Sequence, residues 1–394
     1  MREFLKKMKD YPITLVFFAL LILLTVADLI YPDRESSELE NKQLAQRPAF
    51  NLSSLVSNQW TSKYNEYVKE QVVGRDAWID LHSRMETALL RKTQVGGMLI
   101  GKDAQLFTQM FSLTEAEQAQ LPKNVQAVSE FAQRHPGKVT FLLAPSASLI
   151  QADRLPAFAP MLDENACTDD ILAQVGQSAQ VLDVRELFTQ NKDEKLYYYT
   201  DHHWTTQGAY LAYTAFCQQQ GLTPFDRDAH TELNAKGFYG TSYSAARYWA
   251  STPDTITYYD LSNPLTIYQT GADGSVTPQE TTGLYDLKKL DTRDKYAMFL
   301  HGNNGYSTIE GSGTGSILVI KDSYANCFIP FLTDNYAKIG VVDLRNFKSI
   351  DPDALMEQEG YDQVLLLYNF QSFKSDGNLV YLNRVANRKL TGGI

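Results

Sequence analysis

The last third of the chain decides its fold class. From Ser316 to Asn369 it reads as strand SILVIKD, helix SYANCFIPFLTDN, strand AKIGVVDL (337 to 344), helix DPDALMEQEG and strand DQVLLLYN (362 to 369). Strands this uniformly apolar must be buried on both faces, which is the signature of a parallel sheet covered by helices. The same alternation appears earlier. A helix over Thr114 to Arg134, capped by Ser112 or Thr114, leads into VTFLLAP (139 to 145), and a helical stretch from Asp169 to Gly176 leads into AQVLDV (179 to 184). Thr206 to Gln220 reads as a further helix, stopped by Gly221. The expected class is therefore α/β, a parallel sheet flanked by helices. Residues 235 to 316, rich in Tyr, Thr, Gly and Asp and without helical periodicity, read as an irregular β-rich insertion.

The other end of the chain bears on location. ITLVFFALLILLTVADLI, Ile13 to Ile30, carries a single charge, Asp28, and at roughly 1.5 Å per residue spans about 27 Å, close to a bilayer's hydrocarbon thickness. Arg2, Lys6, Lys7 and Lys9 precede it and outnumber Glu3 and Asp10, which predicts a cytoplasmic N-terminus and an extracytoplasmic body. A cleaved signal peptide is the alternative, with Thr25-Val26-Ala27 as its small-x-small site. The expected organisation is a basic tail (1 to 12), a single membrane span (13 to 31), a helical stalk (32 to 94) and a compact domain (95 to 394). Its start is marked by the hairpin punctuation of VGGMLIGKDAQLF.

Charge and cysteines narrow the function. With 36 Lys plus Arg against 46 Asp plus Glu, the net charge of -10 has the wrong sign for gripping nucleic acid phosphates. Cys167, Cys217 and Cys327 stand far apart, without metal-ligand or disulfide-framework spacing. GSGTGS (311 to 316) precedes a strand instead of joining strand to helix, so it reads as a turn and not as a dinucleotide loop.

Ligands of open α/β sheets collect at the carboxyl ends of the strands. Ser323 lies just past one such strand, and reads either as a nucleophile near helix N–H groups or, with Asp322, as a helix cap. In YYYTDHHWTTQGAY (197 to 210), Asp201, His202, His203 and Trp204 sit between an aromatic strand and a helix. A serine nucleophile needs an imidazole base and a carboxylate to hold its tautomer, and Asp201 with His203 can supply both from one loop. The same Asp and two His residues also permit a metal reading, but adjacent residues rarely aim at one ion and no further ligand motif appears. Asn369, ending its strand, is a candidate oxyanion donor or an ordinary capping residue.

These residues carry a resemblance. The Asp201-His202-His203-Trp204 run, with ENKQLAQRP (40 to 48), MLIGKDAQLF (98 to 107), TDHHWTTQGAY (200 to 210), IKDSYANCFIPFL (320 to 332) and VVDLR (341 to 345), resembles the DHHW family of exported bacterial proteins. That family is similar to the SGNH-hydrolase-like proteins that acetylate alginate outside the membrane. The resemblance implies an SGNH-hydrolase-like (flavodoxin-like) sheet with permuted motif order, the Ser block following the Asp/His block. It implies Ser323 as nucleophile, His203 as base and Asp201 as orienting carboxylate, and leaves His202 without a role. By block order Asn369 takes the Asn position, Lys321 replaces the Gly of the usual Gly-Asp-Ser, and Arg345 follows VVDL toward the site. With Trp204 these complete the candidate oxyanion and substrate-binding residues.

The activity implied is a membrane-anchored O-acyltransferase, most simply an O-acetyltransferase, acting on a cell-surface or secreted polysaccharide. It would need no cofactor and would receive its acyl group from a multi-pass membrane O-acyltransferase. A carbohydrate esterase using the same triad and a non-catalytic polysaccharide-binding assembly subunit remain the alternatives.

Overall fold

A computed structural model describes residues 11–40, 42–271, 275–346 and 351–383. The basic tail of the sequence analysis lies almost wholly outside these residues. The chain divides into two compact units, Met1–Lys92 with Arg247–Trp249, and Thr93–Ala246 with Ala250–Ile394.

In the first unit, α1 (Pro12–Ile30) takes up the apolar run, with Pro12 at its first turn, where a missing N–H costs nothing. The side chains described without a break in α1 run from Pro12 to Asp28, and among the described residues no helix is long and apolar enough to cross a membrane. Downstream, α2 (Gln59–Gln71) and α3 (Arg75–Arg84) are joined by a turn in which Gly74 adopts φ +68°. Gln71 clasps both backbone groups of Arg34, whose guanidinium pairs with Asp76.

The second unit is built on a sheet of eight described strands. They are β1 (Val139–Ala144), β2 (Gln180–Leu182), β3 (Leu265–Thr270), β4 (Val276–Glu280), β5 (Tyr306–Glu310), β6 (Ser316–Lys321), β7 (Lys338–Val342) and β8 (Gln363–Asn369), in the order β4-β3-β5-β7-β6-β8-β1-β2. From β7 to β2 every pairing is parallel. Every residue of β1 and β6 is buried, which is why these strands read as unbroken apolar runs. At about 1.5–3 kcal/mol for each fully buried aliphatic side chain, they dominate the core. Helices α4 (Glu115–Arg134), α5 (Glu164–Val175), α6 (Thr206–Gln220) and α7 (Pro352–Glu359) accompany it. Thr114 and Glu117 close a capping box at the start of α4, and Gly221 ends α6 at φ +69°.

Two expectations are corrected. The sheet is mixed: β5, β3 and β4 extend it antiparallel beyond β7, so much of 235–316 is an ordered sheet extension and not an irregular insertion. β5 pairs Ser307 and Ile309 with Val341 and Ile339, but the three strands mix polar residues with buried ones and lie between Gly/Asp-rich connections, so neither an apolar run nor a regular alternation marks them in the sequence. The helix expected after Ser323 is instead two short 3-10 helices, Ser323–Cys327 and Ile329–Asp334. Pro330, which donates no backbone hydrogen bond, opens the second.

Candidate active site

Strand β6 delivers Ser323 to the carboxyl edge of the parallel sheet, one residue past Asp322. Asp322, not Ser323, caps the 3-10 helix: its carboxylate accepts from the Tyr324 amide (2.9 Å) and from the Asn369 amide (2.8 Å). This frees the Ser323 hydroxyl from the capping role that local sequence allowed it.

The DHHW loop reaches the same edge as a tight reversal. Tyr197 and Trp204 bridge across it, and Thr205 then caps α6. Buried Asp254 fixes the loop's start by accepting from the amides of Tyr199 and Thr200 and from the Thr200 hydroxyl. Loop and serine turn are locked crosswise. Trp204 Nε1 donates to the Tyr324 carbonyl (2.8 Å), and the Tyr324 hydroxyl donates to the His202 carbonyl.

The result is a relay. His203 Nε2 lies 2.8 Å from Ser323 Oγ, and His203 Nδ1 lies 2.5 Å from Asp201 Oδ1. Asp201 is buried, yet both its oxygens are satisfied: Oδ1 also accepts from the His203 amide (2.9 Å), and Oδ2 accepts from the Thr241 amide (2.8 Å) and hydroxyl (3.0 Å). Burial alone would raise its pKa, but the His203 and His202 rings and these N–H donors outweigh burial and hold it well below the usual carboxylate range. A carboxylate that only accepts assigns the proton to His203 Nδ1, which leaves Nε2 as acceptor for the Ser323 hydroxyl.

Tyr296 lies flat against the His203 ring, with centroids 4.0 Å apart and planes 14° apart, and its hydroxyl donates to the Ser323 carbonyl (3.1 Å). One side chain thus touches both base and nucleophile. Neither Tyr296 nor Thr241 was singled out from the sequence. Tyr296 belongs to no motif, whereas Gly240-Thr241 is visible turn punctuation: a Cβ at Gly240 would collide with the Asp201 carboxylate.

Asp201, His202 and His203 each offer a possible metal-ligand atom within 4.8 Å of the others. In this arrangement, however, the Asp201 oxygens hold four donors, His203 Nε2 faces Ser323, and His202 Nδ1 faces the Thr241 hydroxyl at 2.7 Å. A cation would have to break the relay.

The remaining candidates separate into braces and one surface group. Trp204 is wholly buried among Phe188, Tyr324 and Phe328, so it holds the loop and cannot meet a substrate. Asn369 is buried too. Its side-chain amide donates one N–H to the Ala144 carbonyl (3.1 Å) and its side-chain oxygen accepts from the Gln371 amide, so it ties β8 to β1 and caps the turn that follows. Lys321 is buried beneath the site, where Nζ donates to Asn326 (2.6 Å) and Asn303 (3.0 Å) and lies 3.7 Å from Asp343. Burial pushes its pKa down to about 8. Arg345 remains partly exposed, clamped by Asp343 through Nε (2.9 Å) and Nη2 (2.6 Å).

The site geometry and the family comparison coincide. Residues 166–342 match the DHHW protein family. That span includes the whole relay. A DHHW family protein from Eubacterium siraeum superposes with TM-score 0.62 at 21% identity, covering 75% of this chain and 98% of its own. PatB1 of Bacillus cereus, solved with a sulfonyl adduct, gives TM-score 0.57 at 18% identity over 72% of this chain and 97% of its own. A weaker likeness, TM-score 0.46 at 15% identity over 73% of this chain and 99% of the other, is to the O-acetyltransferase domain of Pseudomonas putida AlgJ. At these identities the first two establish a shared fold. No curated protein matches the sequence.

Proposed function

We propose that the chain is an extracytoplasmic O-acyltransferase, held to the membrane by α1, that acylates hydroxyls of a cell-surface or secreted polysaccharide. The observation that carries the reading is the continuous Ser323–His203–Asp201 relay at the open edge of the sheet. His203 takes the Ser323 proton as Oγ attacks the donor's carbonyl carbon, and the imidazolium so formed is stabilised by the Asp201 carboxylate. The Ser323 amide, at the start of its turn, would donate to the developing oxyanion. His203 returns its proton to the leaving group, and an acyl-Ser323 ester remains. A sugar hydroxyl then attacks that ester, His203 takes its proton and gives it back to Ser323 Oγ, and the acylated sugar leaves. The acyl group would come from a multi-pass membrane O-acyltransferase, because cytoplasmic acyl donors do not reach this side of the bilayer.

The test uses the full chain in detergent with an activated acetyl ester and an oligosaccharide. The expected result is an acetyl adduct by intact mass that Ser323→Ala abolishes and that passes to the sugar faster than to water. Release mainly to water would make the protein an esterase. No adduct from several donors, with Ser323→Ala and wild type alike, would favour a non-catalytic polysaccharide-binding subunit.

A further inference from the structure

His202 has no part in the relay, yet its ring lies 3.9 Å from that of His203, with its side chain about one third exposed. Its chemistry is set by one neighbour. Thr241 Oγ1 has a single proton, which goes to Asp201 Oδ2 (3.0 Å), so toward His202 Nδ1 (2.7 Å) it can only accept. The proton of His202 therefore sits on Nδ1, and Nε2 carries a lone pair. Partial burial, then the nearby His203 and Arg345, lower the ring's pKa against the pull of Asp201, which favours the lone pair at neutral pH. No hydrogen-bond partner of His202 Nε2 is found among the described residues.

Arg345 follows β7, the parallel neighbour of the strand that delivers Ser323, so it stands at the same sheet edge. Asp343, which is buried and lies 3.7 Å from the Lys321 ammonium, holds Arg345 by Nε and Nη2, which leaves Nη1 outside the clamp. The edge beside Ser323 thus offers one fixed acceptor and one fixed cationic donor. A single water cannot satisfy both at once while also attacking the ester. A sugar presenting neighbouring hydroxyls can: one donates to His202 Nε2, the oxygen of another accepts from Arg345, and a third is left to attack.

We propose that His202 and Arg345 form the acceptor subsite, which binds neighbouring hydroxyls of a sugar and so favours transfer over hydrolysis. The inference rests on the acyltransferase reading above. It requires no group beyond the acyl-Ser323 ester and the sugar, and the attacking proton passes to His203 as already written.

The experiment measures how the acyl group partitions between an added oligosaccharide and water, in wild type, His202→Phe and Arg345→Gln, with unfolding midpoints recorded alongside. His202→Phe keeps an aromatic ring of similar breadth and removes the lone pair. The expected result is about a tenfold fall in the sugar-to-water ratio for His202→Phe, the loss of roughly one hydrogen bond, with a raised KM for the sugar. Arg345→Gln shifts the ratio the same way. A ratio equal to wild type in folded His202→Phe overturns the subsite. So does a variant that loses acylation of Ser323 as completely as Ser323→Ala, since His202 would then serve the relay itself. Absence of any adduct in wild type defeats the acyltransferase reading and this one with it, whereas an adduct that partitions alike in all three proteins defeats only the subsite.

Discussion

Asp201 receives four hydrogen bonds on two oxygens, and that saturation fixes the state of everything next to it. It keeps the carboxylate charged, the proton of His203 on Nδ1 and the hydroxyl of Thr241 turned inward. Asp201→Asn reverses the polarity of the first contact, because an amide N–H facing Nδ1 drives the His203 proton to Nε2, where it cannot accept from Ser323. Acylation is expected to fall about 10³- to 10⁴-fold, with the fold kept, as read by adduct formation and circular dichroism. Tyr296 works through His203. Tyr296→Phe keeps the stacked ring and loses the hydroxyl's contacts with the Ser323 carbonyl and Cys327 Sγ, so it should cost less activity than Tyr296→Leu, which loses the ring as well. Equal losses in the two variants would show that the ring contact does nothing.

At the scale of elements, the site depends on how closely two turns approach. Gly240 lets the backbone before Thr241 pass against Asp201, and Gly240→Ala must displace one of them. A shift near 1 Å is enough to cost about 10²-fold in kcat, measurable with the same acetyl donor. A second strand end carries a pH effect. Glu164, at the start of α5, accepts from the amide and hydroxyl of Ser146 just past β1, and burial raises its pKa from 4.5 to about 7. Between those values the folded chain holds a proton that the unfolded chain has released, so stability falls as pH rises through this window. Glu164→Gln should flatten that part of the curve of denaturation midpoint against pH, and an unchanged curve would count against the assignment.

The elements also show what the sequence could and could not reveal. β1, β6, β7 and β8 were legible because double-sided burial leaves an apolar run, and α4 and α6 because Thr114 marks the start of one and Gly221 the end of the other; the capping roles of Glu117 and Thr205 came from the structure. β3, β4 and β5 were hidden, since their Thr, Ser, Gln and Glu residues break up any apolar run and their connections are irregular. Asp201, His203 and Ser323 were legible as chemistry, yet nothing local distinguished them from Trp204, Asn369 and Lys321. Hydrogen-bond partners separate the two groups, and those partners come from residues more than 100 positions apart in the chain, as His203 with Ser323, Trp204 with Tyr324 and Asn369 with Ala144 show.

The whole molecule combines an apolar N-terminal helix, a net charge of -10 and a mixed α/β sheet with its relay at one edge. The full chain is expected to stay with membranes through an alkaline wash, and a chain beginning at residue 32 is expected to leave them. Release of the full chain would remove the anchor from the proposal and leave the chemistry untouched.

The central claim, that His203 activates Ser323, is tested most directly by labelling the full chain with a sulfonyl fluoride and locating the adduct by peptide mass. One adduct is expected, on the peptide containing Ser323, formed fastest in wild type, strongly slowed in His203→Ala and absent in Ser323→Ala. An adduct elsewhere, or labelling of Ser323 at the same rate with and without His203, would contradict it.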